Sequence, residues 1–150
     1  MPRFRFRLAS LLHLREAARD ERQAALAEVF RLDEMLEERQ RDVQREMAYA
    51  KQMTRRGSSP GAIDVDRLVE TQRYELTMKA QLAQLEQQRR LVAAEIERRR
   101  AALVEANREV RVLEKLREKQ AQEFREEEER VDIKRLDEVA QRTRLPEEAI

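Results

Sequence analysis

Apolar residues return along this chain in two interleaved sets. Ahead of residue 57, Leu11, Ala18, Ala25 and Leu32 form one seven-residue series, and Val29, Leu36, Val43 and Ala50 form another. Alternating steps of three and four residues are the seam of a coiled coil, one apolar stripe along an otherwise polar helix. The spacing predicts a first helix over about residues 7–55.

Beyond residue 64 the pattern is stronger. Leu68, Glu75, Leu82, Arg89, Ile96, Leu103, Val110, Arg117, Phe124 and Val131 recur at seven-residue intervals, and Met78, Leu85, Val92, Ala106 and Leu113 make a companion row. A second helix over about 65–142 follows, and a period of seven implies left-handed supercoiling. Between the two stretches stands the one cluster of helix breakers, Arg56-Gly57-Ser58-Ser59-Pro60-Gly61. We read it as a bend over 57–62, because glycine and proline are the two poorest helix formers, proline by far. Asp64 is placed to cap the second helix, with Ile63 and Leu68 as a hydrophobic staple across it. Pro146 ends that helix and leaves a short tail over 143–150.

The expected fold is therefore all-α: one domain, 1–150, in which two long helices form an antiparallel coiled-coil hairpin. At about 1.5 Å per residue the helices would be roughly 70 and 115 Å long, so the second overhangs the first. Folding at the bend brings the start of helix one near residue 110 and leaves four or more turns of helix two without an intramolecular partner. That overhang carries Leu116, Phe124, Val131, Ile133 and Leu136, which suggests a docking surface or self-association.

Composition removes several alternatives. Of 150 residues, 42% are charged and 4% aromatic, which argues against a thick core. A disordered polyampholyte shares that charge content, but it would have no use for the regular apolar rows. With 32 basic and 31 acidic residues the net charge is +1, so no global field draws the chain to nucleic acid or anionic lipid. Cysteine is absent and His13 is the sole histidine, which leaves no support for a metal site, cofactor or nucleophilic catalysis. The expectation is a non-enzymatic protein that works by binding. No stretch approaches the roughly 20 apolar residues that span a bilayer, and the opening segment is read as mature protein.

Charged runs have plain readings. Glu37 with Arg41, Glu86 with Arg90, Glu95 with Arg99 and Glu126 with Arg130 are acid-first helical pairs, each worth about 0.2–0.5 kcal/mol. Arg55-Arg56, Arg89-Arg90, Arg98-Arg99-Arg100 and Glu126–Glu129 are solvated faces. Arg39, Glu46, Arg89, Arg99 and Arg117 fall on the seam and would loosen it.

Two features ask for more. In the opening Phe4-Arg5-Phe6-Arg7-Leu8, a helix would put Phe4, Leu8, Leu11 and Leu12 on one face. Packing on helix two near Val112 and Leu116, or on a protein partner, is preferred over a membrane surface. Tyr49 and Tyr74, the two tyrosines, fall at nearly one level of a folded hairpin and on one flank. An exposed contact patch and partial burial against the seam are equally open readings.

The motifs Phe4-Arg5-Phe6-Arg7-Leu8 through Leu11-Leu12-His13-Leu14-Arg15-Glu16, Glu114-Lys115-Leu116-Arg117-Glu118-Lys119 and Leu136-Asp137-Glu138-Val139-Ala140 resemble the two ends of FliJ proteins, flagellar export chaperones and stalk proteins. The resemblance implies a hairpin like the γ shaft of rotary ATP synthases, whose terminal end binds the hexameric flagellar export ATPase. Its bend region would contact the export-gate membrane protein, and the chain would escort other export chaperones. Leu8, Leu12, Leu116, Arg117, Lys119, Leu136, Asp137 and Glu138 would then face the ATPase, and Tyr49, Tyr74 and Met78 the gate, where Asp42 and Arg45 stand in place of expected apolar residues. Such a protein is cytoplasmic and peripherally held at the inner membrane of the flagellar base. A generic structural coiled coil and an injectisome stalk are the alternatives.

Overall fold

The structure, a computed structural model, describes residues 2–57 and 64–144. Two α-helices account for nearly all of them: α1, Ala9–Gly57, and α2, Val65–Arg144. They are long and pack against each other, as an all-α hairpin requires. Most of the expected bend, together with Ile63 of the staple and Pro146 of the tail, lies outside the described residues.

Helix boundaries follow local chemistry. The Asp64 carboxylate accepts the backbone N–H of Asp66 at 3.2 Å and of Arg67 at 3.4 Å, which satisfies two of the amides a helix start leaves orphaned. Asp66 lies in the first turn of α2 and Arg142 and Arg144 in its last, while Arg55 and Arg56 close α1, placements that suit the helix dipole. Removing the cap by Asp64→Ala should lower stability by about 1 kcal/mol in urea titration followed by circular dichroism, whereas Asp64→Ser should recover most of it.

Gly57 lies against the first turn of α2. A Cβ built there would stand 3.8 Å from an Arg67 guanidinium nitrogen, ordinary contact distance.

The chain divides into two compact units, one combining the chain ends up to Asp20 and from Glu105, the other Glu21–Val104. In the first, Leu12, Val110 and Leu113 are buried together, with Phe6 and Leu11 packed on them. Arg15 reaches Glu109 at 3.0 Å. The expected meeting of helix one with residue 110 is therefore seen.

In the second unit Val29, Val92 and Ile96 form the buried cluster, flanked by Leu26 and Leu36. Arg89 is bonded to Asp33 and Arg99 to the Ala25 carbonyl, so numbers rise on one helix as they fall on the other, the mark of antiparallel pairing. Val43 is 0% exposed, and Met78 is also buried. Each such side chain contributes about 1.5–3 kcal/mol on leaving water.

The α2 rows face inward nearly throughout: Leu82, Ile96, Leu103, Val110, Phe124 and Val131 in one, Met78, Leu85, Val92, Ala106 and Leu113 in the other. Leu68 and Arg117 are exposed exceptions.

On α1 the row Val29, Leu36, Val43 and Ala50 faces inward, and Leu11, Ala18 and Ala25 of the other row are half-buried. Leu32 is exposed, and from there the inward positions are Asp33, Gln40 and Met47, in line with Leu26. The reason is Arg89 opposite. Its guanidinium donates to Asp33 Oδ1 at 3.1 Å and Oδ2 at 3.4 Å and to Gln40 at 3.0 Å, with Glu37 3.9 Å away. The hydrogen bond to Asp33 is the main cause that raises the Arg89 pKa above its ordinary value, and the charges of Asp33 and Glu37 add to it against partial burial. Arg99 also bridges the helices, donating to the Ala25 carbonyl at 2.6 Å. Arg89 and Arg99, expected to loosen the seam, are cross-links in it. Arg39, Glu46 and Arg117 are exposed.

Candidate functional site

The unit built from the chain ends holds the residues assigned to one functional end. Ahead of α1 the chain is not helical, so the expected helical face of Phe4 with Leu8, Leu11 and Leu12 is not formed. Phe4 and Phe6 are half-buried while Arg3, Arg5 and Arg7 are exposed, the two-residue alternation of extended chain. An extended segment covers more than twice the length per residue of a helix, and this one carries the Phe4 ring to 5.9 Å from that of Phe124. Packing is on Phe124 and the Leu12, Val110 and Leu113 cluster, and the expected neighbour Val112 is exposed.

The signal for an extended strap is present in the sequence, although the helical period was applied to it. Phe-Arg-Phe-Arg has a period of two, which no helix places on one face. The strap shortens the bare part of α2: partial burial continues to Val131, and Asp132 to Arg144 are exposed throughout.

The candidate ATPase-facing residues have different surroundings. Leu12 is 2% exposed, so its side chain holds the end together. Leu116 is half-buried and Leu8 partly exposed. Arg117, Lys119, Asp137 and Glu138 are open to solvent. Leu136 is 68% exposed, and Ile133 and Val139 beside it are also open, which puts three large apolar residues on the last turns of α2.

In the other unit Tyr49 is 61% and Tyr74 38% exposed. Carried on from the Asp33–Arg89 pair, the antiparallel register sets Tyr49 level with residues 73–74. Of the two open readings for these tyrosines, an exposed level fits the structure better than burial. Met78, assigned to the same group, faces the seam. Asp42 and Arg45 form an ion pair at 3.8 Å, which gives them a local role.

Expected surface pairs are present for Glu37–Arg41, Glu86–Arg90 and Glu95–Arg99, at 2.9, 3.0 and 2.9 Å. Arg130 turns instead to Glu127 at 3.8 Å.

An antiparallel pair of long helices could belong to many proteins. The family model described as flagellar FliJ protein matches residues 4–146, which covers both helices, the stretch between them and most of the strap. The chain belongs to the FliJ family. It is thereby a component of the flagellar protein export apparatus, in a family that is not catalytic. No curated protein and no solved structure matches it. Among the described residues no helix is long and apolar enough to cross a membrane.

Proposed function

We propose that this FliJ-family chain works in the flagellar export apparatus as a non-enzymatic coupling piece, docking on the hexameric export ATPase by its paired chain ends. Its other unit reaches the membrane export gate through the exposed level of Tyr49 and Tyr74, and the chain escorts other export chaperones. It works in the cytoplasm, held peripherally at the inner membrane of the flagellar base.

The observation that carries the reading is the bare end of α2. Ile133, Leu136 and Val139 lie on helix that no other described part of the chain covers. A lone helix in water gains little from propensity, so such residues are better explained by a partner that buries them. Leu8, Leu116, Arg117, Lys119, Asp137 and Glu138 supply the rim of that surface, and Leu12 supports it from within. Tyrosine brings a large contact area with a polar tip at low entropic cost, which suits the second contact.

Pull-down or titration with the purified flagellar export ATPase tests the first contact. Because Leu136 is largely exposed among the described residues, Leu136→Asp should keep full helicity and weaken binding by about 2 kcal/mol, roughly thirty-fold. Wild-type chain that fails to bind, or Leu136→Asp that binds equally well, would sink the proposal.

The same bare residues also fit a second reading, pairing with another copy as in a structural coiled coil. Sedimentation at micromolar concentration separates the two. The coupling role expects a monomer, and a stable dimer abolished by Leu136→Asp would favour the alternative.

A further inference from the structure

The strap has a second side. Arg3, Arg5 and Arg7 are exposed, and among the described residues none has an ion pair or hydrogen-bonded side-chain partner. They also stand where local electrostatics opposes them, just ahead of the α1 N-terminus, whose first turn contains no acidic residue. Helix starts carry partial positive charge and favour anions.

The backbone is equally open. Phe6 C=O accepts the Ala9 N–H at 3.2 Å, but the main-chain groups of Arg3, Phe4 and Arg5 engage in no hydrogen bond among the described residues. Meanwhile Phe4 against Phe124 and Phe6 against the Leu12 cluster fix the segment from behind.

We infer that the strap is a docking edge for an acidic segment of a partner protein in extended conformation. An added strand would take up the unpaired main-chain groups of residues 3–5. Alternate carboxylates on it would meet Arg3 and Arg5, about 7 Å apart in extended chain, with Arg7 following in the turn that leads into α1. Guanidinium groups bind carboxylates as planar forks, so arginine suits this pairing better than lysine.

An anionic membrane fits less well. The phenylalanines that could enter lipid are spent on packing, and exposed Glu123, Glu126 and Glu127 flank Phe124. A flat anionic surface would bring those glutamates within a Debye length of about 8 Å, whereas a narrow strand can follow the arginines alone. Arg3, Arg5 and Arg7 are not among the residues of the proposed ATPase contact, which centres on the bare turns of α2 with Leu8 in its rim.

The test titrates the full-length chain into a fluorescein-labelled peptide of alternating glutamate and valine and follows anisotropy. The triple variant R3E/R5E/R7E should bind about tenfold more weakly or not at all, the loss that three solvent-screened pairs produce. A control matched in charge, K51E/R73E/K79E, should bind like wild type. Helicity by circular dichroism should be the same in all three proteins.

Wild type that ignores the peptide, or a control that loses as much affinity as the strap variant, overturns the inference. So does a chain that sediments with vesicles of phosphatidylcholine and phosphatidylglycerol in an R3/R5/R7-dependent way while leaving the peptide unbound.

Discussion

Replacing Val43 by aspartate should unfold the pairing of the Glu21–Val104 unit at moderate denaturant, with a loss of at least about 3 kcal/mol. Val43 is fully enclosed between α1 and α2. The substitution removes apolar contact and forces a carboxylate either to stay buried without a partner or to pry the helices apart. Met35→Asp is the matched control. Met35 is on the same helix but open to solvent, so its replacement should shift stability by no more than about 0.5 kcal/mol. Urea unfolding followed at 222 nm reads both, and equal losses would mean that the seam is not where the structure puts it.

The second large effect is expected at Arg89. Arg89→Leu leaves Asp33 half-buried without its fork of hydrogen bonds and Gln40 without its donor, and should cost roughly 1–3 kcal/mol. Asp33→Leu should cost a similar amount, because it strands the guanidinium. The double variant D33L/R89L should be more stable than the sum of the single losses predicts, since apolar residues suit both seam positions. A double-mutant cycle in urea measures the coupling, and additive losses would show that solvent screens the pair.

The pH dependence of this contact follows from its sign. The folded state raises the Arg89 pKa, so the arginine's contribution is fully present below its ordinary value and is lost as pH rises through the raised one, in strong alkali. A fall in the coupling on moving from pH 7 to pH 9 would contradict it.

How much of this was legible in the sequence depends on the element. The rows of α2 could be read directly, because Leu82, Ile96, Leu103 and Val110 with Met78, Leu85, Val92 and Leu113 are apolar and evenly spaced. On α1 apolar spacing found the inward row Val29, Leu36, Val43 and Ala50, but in the other row it selected exposed Leu32 and passed over Asp33. An inward aspartate makes sense only once Arg89 is known to lie opposite, and that is a property of the fold-back, not of either helix. At the chain start the two-residue alternation of Phe4 and Phe6 was present but was read with helical period. What the strap packs on could not be read, because reaching Phe124 depends on extended chain outrunning helix. The apolar residues after Asp132 were visible as an overhang, though its extent depended on that same strap.

Cysteine pairs offer the most direct test of the antiparallel pairing, since the natural chain has none. One pair, L12C/V110C, probes the unit of the chain ends, and the other, V29C/I96C, probes Glu21–Val104; each joins residues that share a buried cluster. Mild oxidation of dilute protein should give a monomeric, faster-migrating band for both pairs. Cross-links that form only between chains, or not at all, would contradict a fold in which α1 packs back on α2 of its own molecule.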